Sequence, residues 1–152
     1  MYKLKKEDFG NLTNKKYLLD TCIWRDFYED RFSKINRPLG KYAHDLFMKI
    51  IKNKNKIYFS DIIIRELRKD YSEQDINEML TIFFMNGVLI RINISGEEHF
   101  ESKKLSKERN LPYADCLIAI QARNYDAILV SQDTHIINDL KDIVGCVRPE
   151  KI

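Results

Sequence analysis

Residues 16–148 are predicted to form an α/β fold, a three-layer α/β/α sandwich on a mainly parallel sheet of five strands. Three observations predict it. Short apolar runs alternate with segments whose apolar residues recur at helical spacing, so strands and helices take turns along the chain. The runs are apolar throughout rather than at every second residue, which suits strands covered on both faces and hence a parallel sheet. No repeat or linker divides the 152 residues, so they read as a single domain with residues 1–15 as an extension before the first strand.

In chain order, KYLLD (16–20) is the first strand. It is followed by TCIWRDFYEDRF, in which Ile23, Trp24, Phe27 and Tyr28 recur at helical spacing. RPLGKYAHDLFMKIIKN repeats that signal through Tyr42, Ala43, Leu46, Phe47, Ile50 and Ile51, and KIYFS (56–60) is the second strand. Ser60 caps the short helix DIIIRELRKD. The segment from Ser72 to Gly87 forms the next helix and pairs with it as an αα-hairpin, with Ile76, Met79, Leu80, Phe83 and Phe84 facing one way. VLIRIN (88–93) is the third strand, and GEEHFESKKLSKERN is a polar helix or ordered loop. LPYADCLIAIQARNYD is a helix with Pro112 suited to its first turn. AILVSQ (127–132) is the fourth strand, THIINDLKD a further helix, and IVGCVRP offers a fifth strand.

Composition narrows the functional classes. The chain is 44% hydrophobic and 32% charged, within the globular range. Such a domain buries roughly 70% of the surface its unfolded chain exposes. A net charge of +3 permits nucleic-acid binding without arguing for it. Cys22, Cys116 and Cys146 lie far apart without a C-x-x-C pair, which suggests neither zinc nor a disulfide framework but a reducing compartment. The N-terminus MYKLKKEDFG is charged where a secretory leader needs an apolar stretch, and no run approaches the ~18 apolar residues of a membrane span. A soluble cytoplasmic protein is expected.

Ligands of open α/β sheets bind beyond the carboxyl ends of the strands. Asp20 ends the first strand, Asp133 follows the fourth, Glu66 lies about two turns into the helix after the second, and Asp115 lies in the first turn of PYADCLIAI. Each has a structural alternative. Asp20 and Asp133 can cap helices, Asp115 can favour a helix dipole, and Glu66 can pair with Arg65, Arg68 or a remote cation. Together, however, they would crowd one edge of the sheet with no matching Lys or Arg cluster. Crowded carboxylates raise one another's pKa or recruit cations, and all-oxygen ligation favours Mg²⁺ or Mn²⁺ over zinc. Such an ion can activate water against a phosphodiester.

The motifs LLDTCIW, SDIIIRELRKD and LPYADCLIAIQARNYDAILVSQD, in this order and spacing over residues 16–148, resemble the PIN domain, the metal-dependent ribonuclease domain of VapC-type toxins and of several RNA-processing factors. The resemblance implies that Asp20, Glu66, Asp115 and Asp133 ligate one or two Mg²⁺ or Mn²⁺ ions, directly or through water, and that a metal-activated water attacks RNA. It places Thr21 and Ser131 where a hydroxyl supports the acids. It also implies RNA as substrate, a small antitoxin as partner if the chain is a toxin, and a homodimer. The chain departs from many such toxins in its extension and in Cys22, where they carry Asn.

Lys103, Lys104, Lys107 and Arg109 cluster before the Asp115 helix and are candidates for substrate phosphates, with a solvated helical face as the alternative. Trp24, Phe27 and Tyr28 could stack bases but read more plainly as a buried or partner-facing stripe. Cys22 reads as a packed side chain and His135 as a helix-surface residue, with contact to metal water or phosphate as its alternative. Asp26 is a peripheral acidic candidate. His44 and His99 have no partner at metal spacing. A haloacid-dehalogenase-like phosphatase needs a second Asp two residues after the first, where Cys22 stands. A receiver domain needs its acceptor on a middle strand and a Lys at the end of a late one. A stand-alone RNA-processing nuclease and a catalytically idle PIN-like binding module remain as alternatives.

Overall fold

The computed structural model describes residues 15–152, so the predicted extension, apart from Lys15, lies outside the described residues. The elements follow as β1 (Lys16–Leu19), α1 (Thr21–Glu29), α2 (Leu39–Lys52), β2 (Lys56–Ser60), α3 (Asp61–Leu67) and α4 (Glu73–Met85). The second half contains β3 (Leu89–Ile92), α5 (Gly96–Arg109), α6 (Tyr113–Asn124), β4 (Ile128–Val130), α7 (Thr134–Asp139) and β5 (Cys146–Val147), closed by a 3₁₀ turn at Pro149–Lys151. The five strands are all parallel, in the order β3-β2-β1-β4-β5, with helices packed on the sheet as a three-layer sandwich. Among the described residues no helix is long and apolar enough to cross a membrane.

Strand order follows from burial. Apart from exposed Lys16, β1 and β4 are apolar and largely buried, and they pair at the centre with Leu18 opposite Leu129 and Leu19 opposite Val130. β3 is the edge strand on the side of β2, and it exposes Ile90 and Arg91. The chain runs outward from β1 to β2 and β3, then crosses to β4 on the other flank of β1. The order therefore reverses between β1 and β4, and their carboxyl ends diverge into the crevice where α/β sheets place ligands.

Short polar residues at the strand tips start the helices. Asp20, Ser60 and Asp133 each sit at a strand end and accept a backbone N–H of the following helix. Ser72 with Asp75 and Ser95 with Glu98 form capping boxes for α4 and α5. The second box resolves the segment after β3 as a helix. α5 has almost no apolar stripe beyond buried Leu105, and polar contacts help hold it: Gln121 and Asn124 of α6 donate to the Glu98 carboxylate at 3.5 and 3.3 Å. Pro112 stands at the N-cap of α6, just ahead of its first turn. Gly40 lets α2 begin against the end of α1, since a Cβ there would lie 2.5 Å from the Asp30 Cα.

One half of the core is an aromatic cluster. Trp24 of α1 is fully buried and packs on Phe47 of α2, Phe59 of β2 and Phe83 of α4 at ring-centre distances of 5.1, 5.3 and 5.3 Å. The Trp24, Phe27, Tyr28 stripe therefore faces the protein, and the Tyr28 hydroxyl donates to Asp75 and Glu78. The predicted single face of α4 is corrected at one position. Ile76, Met79 and Phe83 are buried, but Phe84 is 74% exposed, because neighbouring helical positions point about 100° apart and Phe83 takes the inward one.

Replacing Phe83 with Ala removes a ring that packs on Trp24 and Phe27 of α1 and Phe47 of α2, and is expected to cost about 3–5 kcal/mol. Urea unfolding of the two proteins measures it.

Candidate active site

Asp20 is the N-cap of α1 and is only 8% exposed. Its Oδ1 accepts the Thr21 N–H at 2.7 Å, and its Oδ2 accepts the Ser131 hydroxyl at 2.7 Å and the Cys22 thiol at 3.3 Å. The Ser131 hydroxyl also accepts the Asp133 N–H at 2.9 Å, which links the β1 tip to the β4 tip. Burial raises the pKa of Asp20. The bonds from Ser131, Cys22 and Thr21 oppose that rise, and the Asp133 charge adds to it.

Asp115 lies in the first turn of α6, and Glu66 in the last turn of α3. Asp20, Thr21, Glu66 and Asp115 line one small cleft, together with Arg25, Ile62, Ile63, Ala114 and Ile118. The Asp115 carboxyl is pushed up to about 7, first by burial and then by the charges of Asp20, Asp133 and Glu66, with His135 pulling weakly the other way. Asp133 does not line this cleft, but it caps α7 by accepting the His135 N–H at 2.8 Å, and its charge reaches both Asp20 and Asp115. The four acids from four segments therefore act on one another. Their capping and first-turn roles hold at the same time.

The four cations before the Asp115 helix lie outside the cleft. Lys103, Lys104 and Lys107 stand exposed on α5 and do not line the cleft. Arg109 is matched within the protein, forming two bonds to the Asp142 carboxylate at 2.7 and 2.6 Å and one to the Asp139 carbonyl. The cleft does hold a cation, Arg25, which the sequence reading passed over although it lies one turn beyond Thr21. Glu66 pairs with Lys69 at 2.9 Å.

Other candidates sort by burial. Burial and the Asp20 charge raise the Cys22 thiol well above its usual range, so it stays protonated, as a packed side chain should. His135 is a surface residue 3.4 Å from Asp139. Asp26 is buried near the far end of α1 beside Arg31, outside the cleft, and burial pushes its carboxyl up to about 6.

The donors are hard oxygens, and burial and neighbouring charge disfavour the charged forms of Asp20 and Asp115, conditions that a divalent cation relieves. Among the described residues no three His, Cys, Asp or Glu side chains gather closely enough to hold an ion by themselves. Carboxylate oxygens are the donors that a hard ion such as Mg²⁺ takes while keeping part of its water shell.

An all-parallel sheet whose order reverses beside a buried acidic cleft defines a small α/β protein with its polar site at the strand tips. Residues 17–141 match the PIN domain model, and the chain belongs to the PIN domain family. No curated protein matches the chain. Among solved structures it is similar to VapBC2 from Rickettsia felis, crystallised with a DNA fragment from its promoter. That match has 23% identity and a TM-score of 0.58 over 88% of this chain and 97% of that one. A toxin-antitoxin complex from Klebsiella pneumoniae matches at 21% identity and a TM-score of 0.57 over 88% and 97% of the two chains. FitAcB from Neisseria gonorrhoeae matches at 18% identity and a TM-score of 0.56 over 90% and 99%. At these identities the likeness is one of fold.

Because the folded protein holds the Asp115 proton to about pH 7 while an unfolded carboxyl releases it near 4, Asp115 lowers stability as pH rises through that window. In metal-free protein, Asp115→Asn is expected to stabilise at pH 8 by on the order of 1 kcal/mol, a value discounted for the partial exposure of the group. The difference should vanish near pH 4. Thermal unfolding at the two pH values checks both the size and the sign.

Proposed function

We propose that the chain is a metal-dependent ribonuclease and the toxin of a toxin-antitoxin pair. The observation that carries this reading is the convergence of Asp20, Glu66 and Asp115, from three segments, on one cleft, where burial and then the charges of Asp20, Asp133 and Glu66 lift Asp115 to about 7. A site built to be neutral would not gather four acids at the strand-order reversal. Family membership supports nuclease chemistry. The toxin-antitoxin neighbours support a small antitoxin protein as partner, and the intact acidic set favours catalysis over an idle binding module.

Asp20 and Asp115 would hold Mg²⁺ or Mn²⁺ directly, and Glu66 and Asp133 through water. When bound, the ion supplies a water of lowered pKa and positive charge at a phosphoryl oxygen. The chain's own residues set the geometry. The Thr21 N–H and the Ser131 hydroxyl fix the two oxygens of Asp20, so little freedom is lost when the carboxylate takes up its task. Ile62, Ile63 and Ile118 line the cleft with apolar surface, and this strengthens charge interactions within it.

With Mn²⁺ or Mg²⁺, the wild type is expected to cut single-stranded RNA. Asp20→Asn and Asp115→Asn should each lose more than the roughly 100-fold that removal of an outer-shell partner costs. Equal residual activity in all three proteins would mark a contaminant and remove the assignment. Binding can be read without catalysis, since Mn²⁺ should raise the thermal midpoint of the wild type and leave that of Asp20→Asn unchanged.

A further inference from the structure

Two walls of the cleft are α3, through Ile62, Ile63 and Glu66, and α6, through Ala114, Asp115 and Ile118. Each wall carries one of the acids, so the distance between the helices governs the distance between Glu66 and Asp115. Gln121 of α6 lies three residues past Ile118, on the same side of that helix, and its side chain is completely buried. Its Oε1 accepts the hydroxyl of Ser60, which is also fully buried and starts α3 as its N-cap. Its Nε2 donates to the Asn93 carbonyl, just after β3, at 3.3 Å and to the Glu98 carboxylate in the first turn of α5 at 3.5 Å. Among the described residues no other hydrogen bond joins the segment 56–67 to α6.

Packing alone does not call for a glutamine at this place. Every other buried residue of α6 is small or apolar, and an unbranched apolar side chain would fill the space without desolvating an amide. What the amide adds is a fixed arrangement, because a satisfied buried network rigidifies the groups that it joins. Here the groups joined are the α6 wall, the start of the α3 wall and the end of β3. We infer that Gln121 is a positioning residue: by bonding Ser60 it locks α6 to the start of α3 and sets the separation of Glu66 and Asp115 at which the cleft takes up a divalent cation. This rests on the metal-dependent reading of the cleft. A merely structural Gln121 would add to stability and leave the folded protein's affinity for the ion unchanged.

The test is calorimetric titration of the full chain with Mn²⁺ in the absence of RNA. Gln121→Met nearly keeps the volume and loses the amide's bonds, and it is expected to weaken Mn²⁺ binding about tenfold, the lower end of what loss of an outer-shell partner costs. In the Glu66→Gln background the same substitution should change the affinity by less than about twofold, since the group it positions is already gone. Asn124→Ala removes the other α6 bond to Glu98, leaves the bond between Ser60 and Gln121 intact, and should bind Mn²⁺ as the wild type does. Ser60→Ala breaks that bond from the other side and should weaken binding to a similar extent, which serves as the readout if Gln121→Met fails to fold. The inference is overturned by wild-type affinity in Gln121→Met or, if that protein does not fold, in Ser60→Ala. An equal loss in Asn124→Ala, or an undiminished loss in the Glu66→Gln background, overturns it as well. Any of these results with Mn²⁺ bound by the wild type removes this inference alone. A wild type that binds no Mn²⁺ removes the metal-dependent reading with it.

Discussion

The hydrogen bond from the Ser131 hydroxyl to Asp20, 2.7 Å long and fully buried, joins the tips of the two central strands where the sheet reverses its order. Much of the site depends on it. It holds one oxygen of a carboxylate that has almost no contact with water, and through the Asp133 N–H it ties a second acidic segment to the first. Without a donor there, the strand tip would bury an unsatisfied acceptor, which costs more than an average hydrogen bond stabilises. The Asp20 N–H bond to the Val130 carbonyl at 2.9 Å closes the same junction through the backbone.

Repulsion among the acids is tolerated because helix starts meet there. Asp20 caps α1, Asp133 caps α7, and Asp115 lies in the first turn of α6. Each carboxylate therefore sits at the positive end of a helix and beside free N–H groups. This compensation is incomplete at Asp115, where burial and three neighbouring charges prevail. The residual strain is the property that a cation would relieve. The negative field extends to β5, where burial, reinforced by Asp20 and Asp133, pushes the Cys146 thiol up to about 12.

Much of the architecture was legible because its rules are local. Continuous apolar runs marked buried parallel strands, and the Ser or Asp after a run marked a helix start, so KIYFS and the helix after Ser60 were read with their observed bounds within a few residues. α5 was harder to read. Its residues are polar nearly all round, and what keeps it helical is a capping box and the contacts of Glu98 with α6. The acids could be proposed as a set because Asp20 and Asp133 lie at strand tips, Glu66 in the helix after β2 and Asp115 in the first turn of α6. The cations could not be placed in this way. Arg25 looks like any solvated helix residue until α1 packs beside α3, and Arg109 looks available until Asp142 is folded against it.

The sequence by itself determined the succession of strands and helices and several of their caps, because apolar periodicity and capping act over a few residues. Tertiary structure alone decided the strand order, the inward turn of Phe83 over Phe84, and the partner of each charge. A long charged side chain can reach many partners. Which one it meets depends on packing between elements far apart in the chain, and that packing leaves Arg25, rather than the lysines of α5, in the cleft with Asp20, Glu66 and Asp115.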